Sequence, residues 1–331
     1  MKADFHLHLE EGPYTSGWLQ RTFNSILELT ETTNRKQSLQ WMNEGFGLLD
    51  QRMQHGAFSS YWLDLYLIQA KRMGMQEVGI VDHLYRFTEY KSYYQKNMII
   101  DDTPLGIMQR EWLDNVCTVS VTSFVEFIQQ QKDKWKQEGI DLRLGVEADY
   151  YPGCEEELSA ILSEQPYDYV IGSVHFVDGW GFDNPETADR FEQFDLESLY
   201  RRFFQIVGQA ISSKLFDFVA HLDNLKVFCH RPDERILLPM YEEIAELLIA
   251  TDTATEINAG LYYRYPIKEM CPSPTFLKVL SDKGVKITTS TDAHFPQDLG
   301  SYTAQQMELL KEAGFKVIVT FVDRKRLSHS L

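Results

Sequence analysis

The sequence predicts an α/β fold in which helices wrap a parallel sheet, and three observations support this prediction. Short β-prone runs alternate with longer segments of helical period, which is typical of this fold class. At least seven such runs can be counted. The chain has 331 residues, whereas one α/β barrel commonly needs about 250 residues and tolerates insertions. We therefore expect residues 1–331 to form a single barrel domain.

The β-prone runs and the helical segments follow one another along the chain. The first run precedes a polar, helix-prone stretch over 18–54. Apolar residues at helical spacing over 61–70 then predict a helix that leads into the second run. Further helices are predicted near 155–164, 195–213, 236–250 and 274–283. The predicted strands are 3–8, 77–81, 142–147, 169–174, 218–221, 255–258, 285–289 and, after a last helix, 316–320.

The segment over 85–139 differs from the rest of the chain. It is aromatic and charged, shows no strand signal, and ends in a predicted helix over 121–137. We interpret it as an insertion beside the predicted site. The sequence has no internal repeat, low-complexity tract or Pro/Gly/Ser-rich linker, so nothing argues for dividing it into domains.

Composition and charge restrict the classes of partner. A hydrophobic fraction of 44% supports a full core and argues against disorder. The formal net charge is −17, and binding to a phosphate backbone needs a basic face, so we expect no nucleic-acid partner. Bound divalent metals would reverse the sign of the charge only inside one pocket. That field suits a small anionic substrate.

The cysteines and the lack of a long apolar run bear on the compartment. Cys117, Cys154, Cys229 and Cys271 are far apart in sequence and form no C-x-x-C pair, which favours free thiols in a reducing compartment. No basic start leads into an apolar segment, and no run approaches the roughly 18 apolar residues of a membrane span. We therefore expect a cytoplasmic protein without a membrane partner.

Six of the nine histidines lie at or just after the ends of β-prone runs, with acidic residues nearby. Neutral imidazole and carboxylate are the ligands that Zn, Mn and Fe use in hydrolytic sites, and barrel enzymes assemble such sites at strand ends. The alternation of a strand sends His6 and His8 to the same side, as joint ligation requires. The remaining histidines, His55, His230 and His329, are interpreted as surface residues. The pattern predicts a multinuclear metallohydrolase.

Six ordered motifs carry a family resemblance. They are Asp4-Phe5-His6-Leu7-His8, Asp82-His83, Gly145-Val146-Glu147-Ala148-Asp149, Gly172-Ser173-Val174-His175, Ala220-His221-Leu222-Asp223 and Ser290-Thr291-Asp292-Ala293-His294. Their order resembles the PHP (polymerase and histidinol phosphatase) family through almost the whole chain. An isolated H-x-H would be weak evidence, whereas six ordered motifs form a strong signal. The resemblance implies a distorted seven-stranded β/α barrel that carries two or three metals.

Within the family, several stretches are most similar to the histidinol-phosphatase branch. They are Gly145 to Gly153, Asp168 to Phe176, Gly179 to Asp183, Asn258 to Leu261 and Pro272-Ser273. This branch implies a phosphomonoesterase that converts L-histidinol phosphate and water to L-histidinol and phosphate, within histidine biosynthesis.

The resemblance also implies a role for each position in the metal sites. One metal would be held by His6, His8, Glu147 and Asp292, a second by Glu147, His175 and His221, and a third by His83 and His294. A carboxylate has two oxygens and can span ions about 3.5 to 4 Å apart, whereas a neutral imidazole offers one free nitrogen. Glu147 is therefore the central predicted residue.

The third metal site departs from the family pattern. Histidinol phosphatases of this type usually carry another histidine six positions after the H-x-H pair, and this chain has Tyr14 there. Glu10 and Glu11 lie close enough in sequence to substitute. The third site is then occupied with a Glu or Tyr ligand, weakly occupied, or lost, which would leave His83 and His294 as proton donors.

The predicted mechanism is attack of a metal-activated hydroxide on phosphorus. Glu147, His83 and His294 are the predicted catalytic residues, because a leaving alkoxide needs a proton or a Lewis acid. Cations that bind the phosphate are expected in loops that follow the motifs. The candidates are Arg264, Lys226 and Arg86, and each is equally consistent with a solvated surface charge. Partners for the ammonium and imidazole of the substrate are sought among Glu11, Asp149 and Asp223.

Two other functional classes remain open. The same metal set in this family supports nuclease or nucleotide phosphatase chemistry, although the acidic surface disfavours a nuclease. A non-catalytic metal-binding protein would normally lack one or more ligands, and only the third site shows such a gap. The sequence does not fix the metal, the exact substrate or whether the chain forms a homo-oligomer.

Overall fold

Seven parallel strands form the centre of the computed structural model, which describes residues 1–10, 12–30 and 36–331. Together with the strands of two antiparallel hairpins, β5-β6 and β10-β11, the described residues contain β1 (Ala3–His8), β2 (Glu77–Val81), β3 (Asp141–Asp149), β4 (Tyr169–Ser173), β5 (Phe176–Val177), β6 (Trp180–Gly181), β7 (Phe218–Val219), β8 (Ala254–Asn258), β9 (Ile287–Ser290), β10 (Val317–Val322) and β11 (Lys325–Ser330). The parallel strands pair in the order β1-β2-β3-β4-β7-β8-β9. A bridge between Leu7 and Ala293 brings the two edge strands together. The sheet is thus a nearly closed barrel, and the predicted fold class is confirmed.

Helices connect the barrel strands and cover their outer faces. They are α1 (Ser16–Leu29), α2 (Leu39–His55), α3 (Ser60–Met73), α4 (Lys91–Asn97), α5 (Pro104–Val116), α6 (Val121–Gln137), α7 (Glu155–Ser163), α8 (Leu196–Ser213), α9 (Glu234–Thr251), α10 (Gly260–Arg264), α11 (Pro274–Lys283) and α12 (Thr303–Ala313). Hydroxyl groups cap several of them: Ser59 accepts from the backbone N–H of Trp62, and Ser273 from that of Phe276. None of the helices in the described ranges is long and apolar enough to span a membrane.

The segment between β2 and β3 is helical, as its lack of strand signals predicts. It contains short 3₁₀ turns at Leu84–Arg86 and Thr88–Tyr90, followed by α4, α5 and α6. Gln109 of α5 fastens this segment to the β5-β6 hairpin, because its amide donates to Gly179 O at 2.9 Å and accepts from Gly181 N at 2.7 Å. The helical segment and the hairpin therefore form one continuous wall beside the barrel.

A C-terminal hairpin closes the end of the barrel at which the strands begin. The side chains of Val319 and Phe321 on β10 join a buried cluster with Phe5, Tyr169 and Phe218 from inside the barrel. The ring of Phe321 lies 5.4 Å from that of Phe218 and 5.7 Å from that of Phe5. The predicted strand over 316–320 overlaps β10 over 317–320, whereas its antiparallel partner β11 was not predicted.

This packing predicts that Phe321→Ala lowers the free energy of unfolding by about 3–5 kcal/mol, because it removes a buried ring from a closed core. Equilibrium denaturation measures the change. Leu327→Ala is the matched control, since Leu327 lies on the same hairpin with its side chain 42% exposed. Equal and small losses for the two variants would contradict a sealing role for the hairpin.

Candidate metal centre

Strand β1 brings two imidazoles to the end of the barrel at which the strands finish. Ala3 and Phe5 point into the core lower down, and strict alternation would then turn His6 and His8 outward. The register between β1 and β2 shifts in the middle of β1. Such an irregularity moves the following side chains to the other face of the strand. Both imidazoles are consequently fully buried and directed at the same carboxylate.

That carboxylate is Glu147, which β3 places at the centre of the site. Its Oε2 lies 3.0 Å from His6 Nε2, 3.3 Å from His8 Nε2 and 2.8 Å from His83 Nδ1. Its Oε1 lies 3.2 Å from His221 Nε2 and 3.5 Å from His175 Nε2. The two oxygens therefore face different groups of imidazoles, which is the arrangement that a bridging carboxylate requires.

The loop after β9 supplies the remaining predicted side chains. Asp292 Oδ1 lies 3.9 Å from His6 Nε2 and 3.7 Å from His8 Nε2. The ring of His8 contacts two others, with its centroid 4.1 Å from that of His83 and 4.4 Å from that of His294. All eight side chains that the sequence singled out as metal ligands are thus brought together.

The donor set and its geometry fit divalent metals. Among the described residues, three groups have ligand atoms within 4.8 Å of one another: His6, His8 and Asp292; His83, Glu147 and His175; His8, His83 and His294. Several of the converging atoms are buried without a hydrogen-bond partner, namely His6 Nε2, His8 Nε2, His83 Nδ1 and Glu147 Oε2. Buried polar atoms are normally paired, so these atoms indicate a missing partner that all of them can share. Cations of the zinc, manganese or iron type meet that requirement.

The electrostatics of the cluster favour the protonation states that metal binding needs. Burial and the neighbouring His83 lower the pKa of His8 to about 3, so this imidazole is neutral at pH 7. Burial alone would raise the pKa of Asp292, but His6 and Arg264 outweigh it and lower the pKa to about 2. His6 and His175 are the exceptions. Glu147 and Glu256 overcome burial and raise the pKa of His6 well above its usual value, and Asp149 and Glu147 raise the pKa of His175 to about 10. A metal bound to His175 would therefore displace a proton.

Two further carboxylates hold the imidazoles in place. Glu256 on β8 contacts His6 Nδ1 at 3.1 Å, and it also accepts from the backbone N–H of His221 at 3.0 Å. Asp149 contacts His175 Nδ1 at 2.8 Å. Such partners fix the ring orientation of a metal-bound histidine. Sequence reasoning missed Glu256, and the signal that would have found it is one charged residue inside an otherwise uncharged predicted strand.

The backbone is strained where two of these side chains enter the site. His221 has φ 25° and Asp292 has φ 54°, which are uncommon conformations for residues other than glycine. Gly260 permits the close approach of Asp292, because a Cβ at position 260 would lie 2.6 Å from Asp292 Oδ2. The backbone conformation of Asp292 and the lack of a side chain at position 260 therefore both determine where the Asp292 carboxylate lies.

Two acidic residues that precede the histidine motifs act on the backbone. Asp4 accepts from Thr291 N at 2.9 Å and from Gly300 N at 3.2 Å, which fixes the loop that carries Asp292. Asp82 accepts from His83 N at 2.9 Å. Burial raises the pKa of each carboxyl to about 6. Both support the loops that present ligands.

Tyr14, Glu10 and Glu11 are the residues that the sequence offered as replacement ligands for the third metal. Tyr14 is 52% exposed and its ring packs edge-on against Trp18. Glu10 accepts from Trp18 Nε1 at 3.0 Å and pairs with Arg52 at 2.8 Å, so it does not turn toward the imidazoles. Glu11 lies outside the described residues.

A cavity of about 610 Å³ opens above the cluster. Of the predicted phosphate-binding residues, Arg264 lines this cavity, and its Nη1 lies 2.8 Å from His294 Nδ1. Lys226 is fully buried and its Nζ pairs with Asp223 and Glu269 at 2.9 and 2.7 Å. Arg86 is also buried, beside Asp82. Lys226 and Arg86 do not line the cavity, because their chain segments turn them into the protein.

Two of the three carboxylates predicted for the organic part of the substrate, Asp149 and Asp223, lie in the described residues, and both are engaged. Asp149 holds His175 and accepts from the hydroxyl of Tyr94 at 2.9 Å. Asp223 pairs with Lys226 and accepts from Ser273 N at 2.9 Å. Neither lines the cavity. Other residues of the cavity wall would therefore have to bind the organic part of a substrate.

The barrel and the ring of imidazoles and carboxylates define the class of a metal-binding α/β barrel protein. Residues 55–260 match the PHP domain family. Because the match covers more than half of the chain, the protein belongs to this family. The matched range contains His83, Glu147, His175 and His221, and the fold adds the flanking motifs of β1 and β9 to the same centre.

Similar proteins point to one branch of the family. A protein of Deinococcus radiodurans named "Probable histidinol-phosphatase" is 38% identical over 187 residues, which are 56% of this chain and 70% of that protein. A protein of Clostridium acetobutylicum with the same name is 20% identical over 232 residues, 68% of this chain and 88% of that one. A crystal structure of a Lactococcus lactis histidinol phosphate phosphatase with Zn, L-histidinol and phosphate shares the fold, with a TM-score of 0.63, 18% identity and 98% of each chain covered.

Proposed function

We propose that this protein is a metal-dependent histidinol phosphatase, which hydrolyses L-histidinol phosphate to L-histidinol and phosphate. The observation that carries the proposal is the convergence of the predicted ligands on both oxygens of Glu147. The substrate is supported by the names of the relatives and by the ligands of the Lactococcus lactis structure. The reaction would belong to histidine biosynthesis, in the cytoplasm.

Two or three divalent ions of the zinc, manganese or iron type are the proposed cofactors. The residues that would hold them are His6, His8 and Asp292, then His175 and His221, then His83 and His294, with Glu147 between the groups. When bound, such metals supply a water nucleophile at neutral pH and stabilise negative charge on the phosphoryl group. Glu147 would link two of these ligand groups, because each of its oxygens faces a separate set of imidazole nitrogens.

The remaining chemistry falls to side chains at the cavity. Arg264 would bind the phosphoryl oxygens, since a guanidinium matches phosphate geometry with two parallel donors. If only two metals are bound, the leaving alkoxide needs a proton from a side chain, for which His83 and His294 are the candidates. Burial and Arg264 hold the pKa of His294 well below its usual value. This favours His83, which lines the cavity beside Glu147, as the proton donor.

The proposed activity predicts metal-dependent turnover with a clear substrate preference. We expect kcat/KM for L-histidinol phosphate to exceed that for nucleoside monophosphates by about 100-fold, because a site with placed polar groups rejects a ligand that leaves them unpaired. Treatment with a chelator should abolish turnover, and Zn²⁺ or Mn²⁺ should restore it. A phosphate-release assay across the substrate panel measures both effects. Preference for a nucleotide, or turnover that a chelator does not change, would contradict the proposal.

A further inference from the structure

One wall of the cavity is aromatic. The ring of Tyr85 is stacked on His83 with 4.5 Å between centroids, and it meets the ring of Trp112 at 4.7 Å. Phe176 continues the row, 6.5 Å from Trp112. All four side chains line the cavity. The row offers flat surfaces that begin at the metal centre and extend away from it.

The same wall carries carboxylates without partners. Asp183 follows the β5-β6 hairpin, and Glu111 is the residue before Trp112 on α5; both line the cavity. Among the described residues, no hydrogen bond or ion pair to either carboxylate is found. Asp183 is only partly exposed, so its carboxylate is partly withdrawn from water without an ion-pair partner among the described residues. A partly buried carboxylate of this kind is stabilised by a cation.

The positive side of the cavity lies opposite this wall. Arg264 follows β8, whereas Tyr85 and α5 follow β2. Three steps around the barrel separate these strands, from β2 to β1, from β1 to β9 and from β9 to β8, which is the largest separation that seven strands allow. Among the described residues that line the cavity, Arg264 is the one arginine or lysine. Tyr85 and Glu111 therefore follow the strand farthest from that of Arg264 in the barrel order, and Asp183, which follows β4, is two strands away from it.

We propose that the acidic, aromatic wall binds the leaving alcohol of the substrate, and that it selects phosphomonoesters whose alcohol carries a cation and a small flat ring. The carboxylate of Asp183 pairs with the positive charge, and the faces of Tyr85 and Trp112 contact the ring and the cation. This inference rests on the proposed function and assigns its specificity to named residues. Asp183 takes the role that the sequence analysis gave to Asp149 and Asp223 as partners of the substrate cation.

The test is Asp183→Asn in the metal-loaded full-length protein, assayed on L-histidinol phosphate and on p-nitrophenyl phosphate, whose leaving group carries no cation. We expect the ratio of kcat/KM for L-histidinol phosphate to kcat/KM for p-nitrophenyl phosphate to fall about 10- to 100-fold, because the amide no longer carries the negative charge that pairs with the cation. The loss should appear as a higher KM for L-histidinol phosphate, because the contact is present before and during the reaction. Binding of L-histidinol alone, measured by calorimetry, should weaken by a similar factor.

Asp189→Asn is the matched control, because Asp189 is an exposed carboxylate six residues further on that does not line the cavity. Its ratio should equal that of the wild-type protein. An unchanged ratio in Asp183→Asn, or a loss of bound metal in that variant, would overturn the inference. If Asp183→Asn does not fold, Trp112→Leu should lower the same ratio. The wild-type assay decides the proposed function, whereas the variant ratio and L-histidinol binding decide this inference.

Discussion

Replacing Glu147 with glutamine (Glu147→Gln) is expected to lower kcat/KM for L-histidinol phosphate by about 1,000-fold. An amide has one acceptor oxygen and one N–H₂ donor, so it cannot present two anionic oxygens to separate groups of imidazoles. In the native site, His6 and His83 overcome the effect of burial and hold the pKa of Glu147 well below its usual value. Steady-state kinetics and the metal content after purification measure the loss. Circular dichroism should show a retained fold, because the substitution preserves volume.

The matched control for this variant is Glu77→Gln. Glu77 is also a buried carboxylate on a barrel strand, but it lies at the opposite end and pairs with Arg143 at 3.2 Å. We expect this variant to lose some stability while keeping its metals and its turnover. Near-normal activity of Glu147→Gln would remove the central carboxylate from the mechanism.

Replacing Arg264 with glutamine (Arg264→Gln) is expected to lower kcat/KM by about 100-fold, because one charged donor to the phosphoryl oxygens is lost. The inhibition constant of inorganic phosphate should rise in parallel, since the product presents the same oxygens. Metal content should stay at the wild-type level. Kinetics with phosphate as a product inhibitor measure the first two effects.

Arg21→Gln serves as the control for Arg264→Gln. Arg21 is a nearby arginine whose guanidinium packs 4.1 Å from the ring centroid of Phe295 and pairs with Asp298, outside the large cavity. It should retain wild-type kinetics and wild-type inhibition by phosphate. If Arg264→Gln behaves in the same way, the phosphate-binding role of Arg264 is wrong.

Strand periodicity and motif order were sufficient to predict the barrel and the residues that converge at its end. They could not predict how β1 delivers its imidazoles, because alternation places Phe5 and His6 on opposite faces. The register shift in β1 reconciles a buried Phe5 below with two inward imidazoles above. A one-residue irregularity in pairing leaves no signal in composition or spacing.

Nearness to a motif was a poor guide to which charges face the cavity. Lys226 and Arg86 follow ligand motifs in sequence, yet each turns into the protein and pairs with an internal aspartate. Arg264, at the end of α10, does line the cavity. The second strand of the C-terminal hairpin, β11, was missed because the turn before it lacks the usual sequence signal. This turn places Asp323 and Arg324 at positive φ, without the Asn-Gly or Asp-Gly pair that marks such turns.

The most direct test is anomalous X-ray scattering from crystals of the protein grown with Zn²⁺. We expect two or more peaks within coordination distance, about 2.0–2.2 Å, of the carboxylate and imidazole atoms grouped around Glu147. At least two of these ions should share the Glu147 carboxylate. Peaks confined to other parts of the protein, or a single ion that does not contact Glu147, would contradict the account.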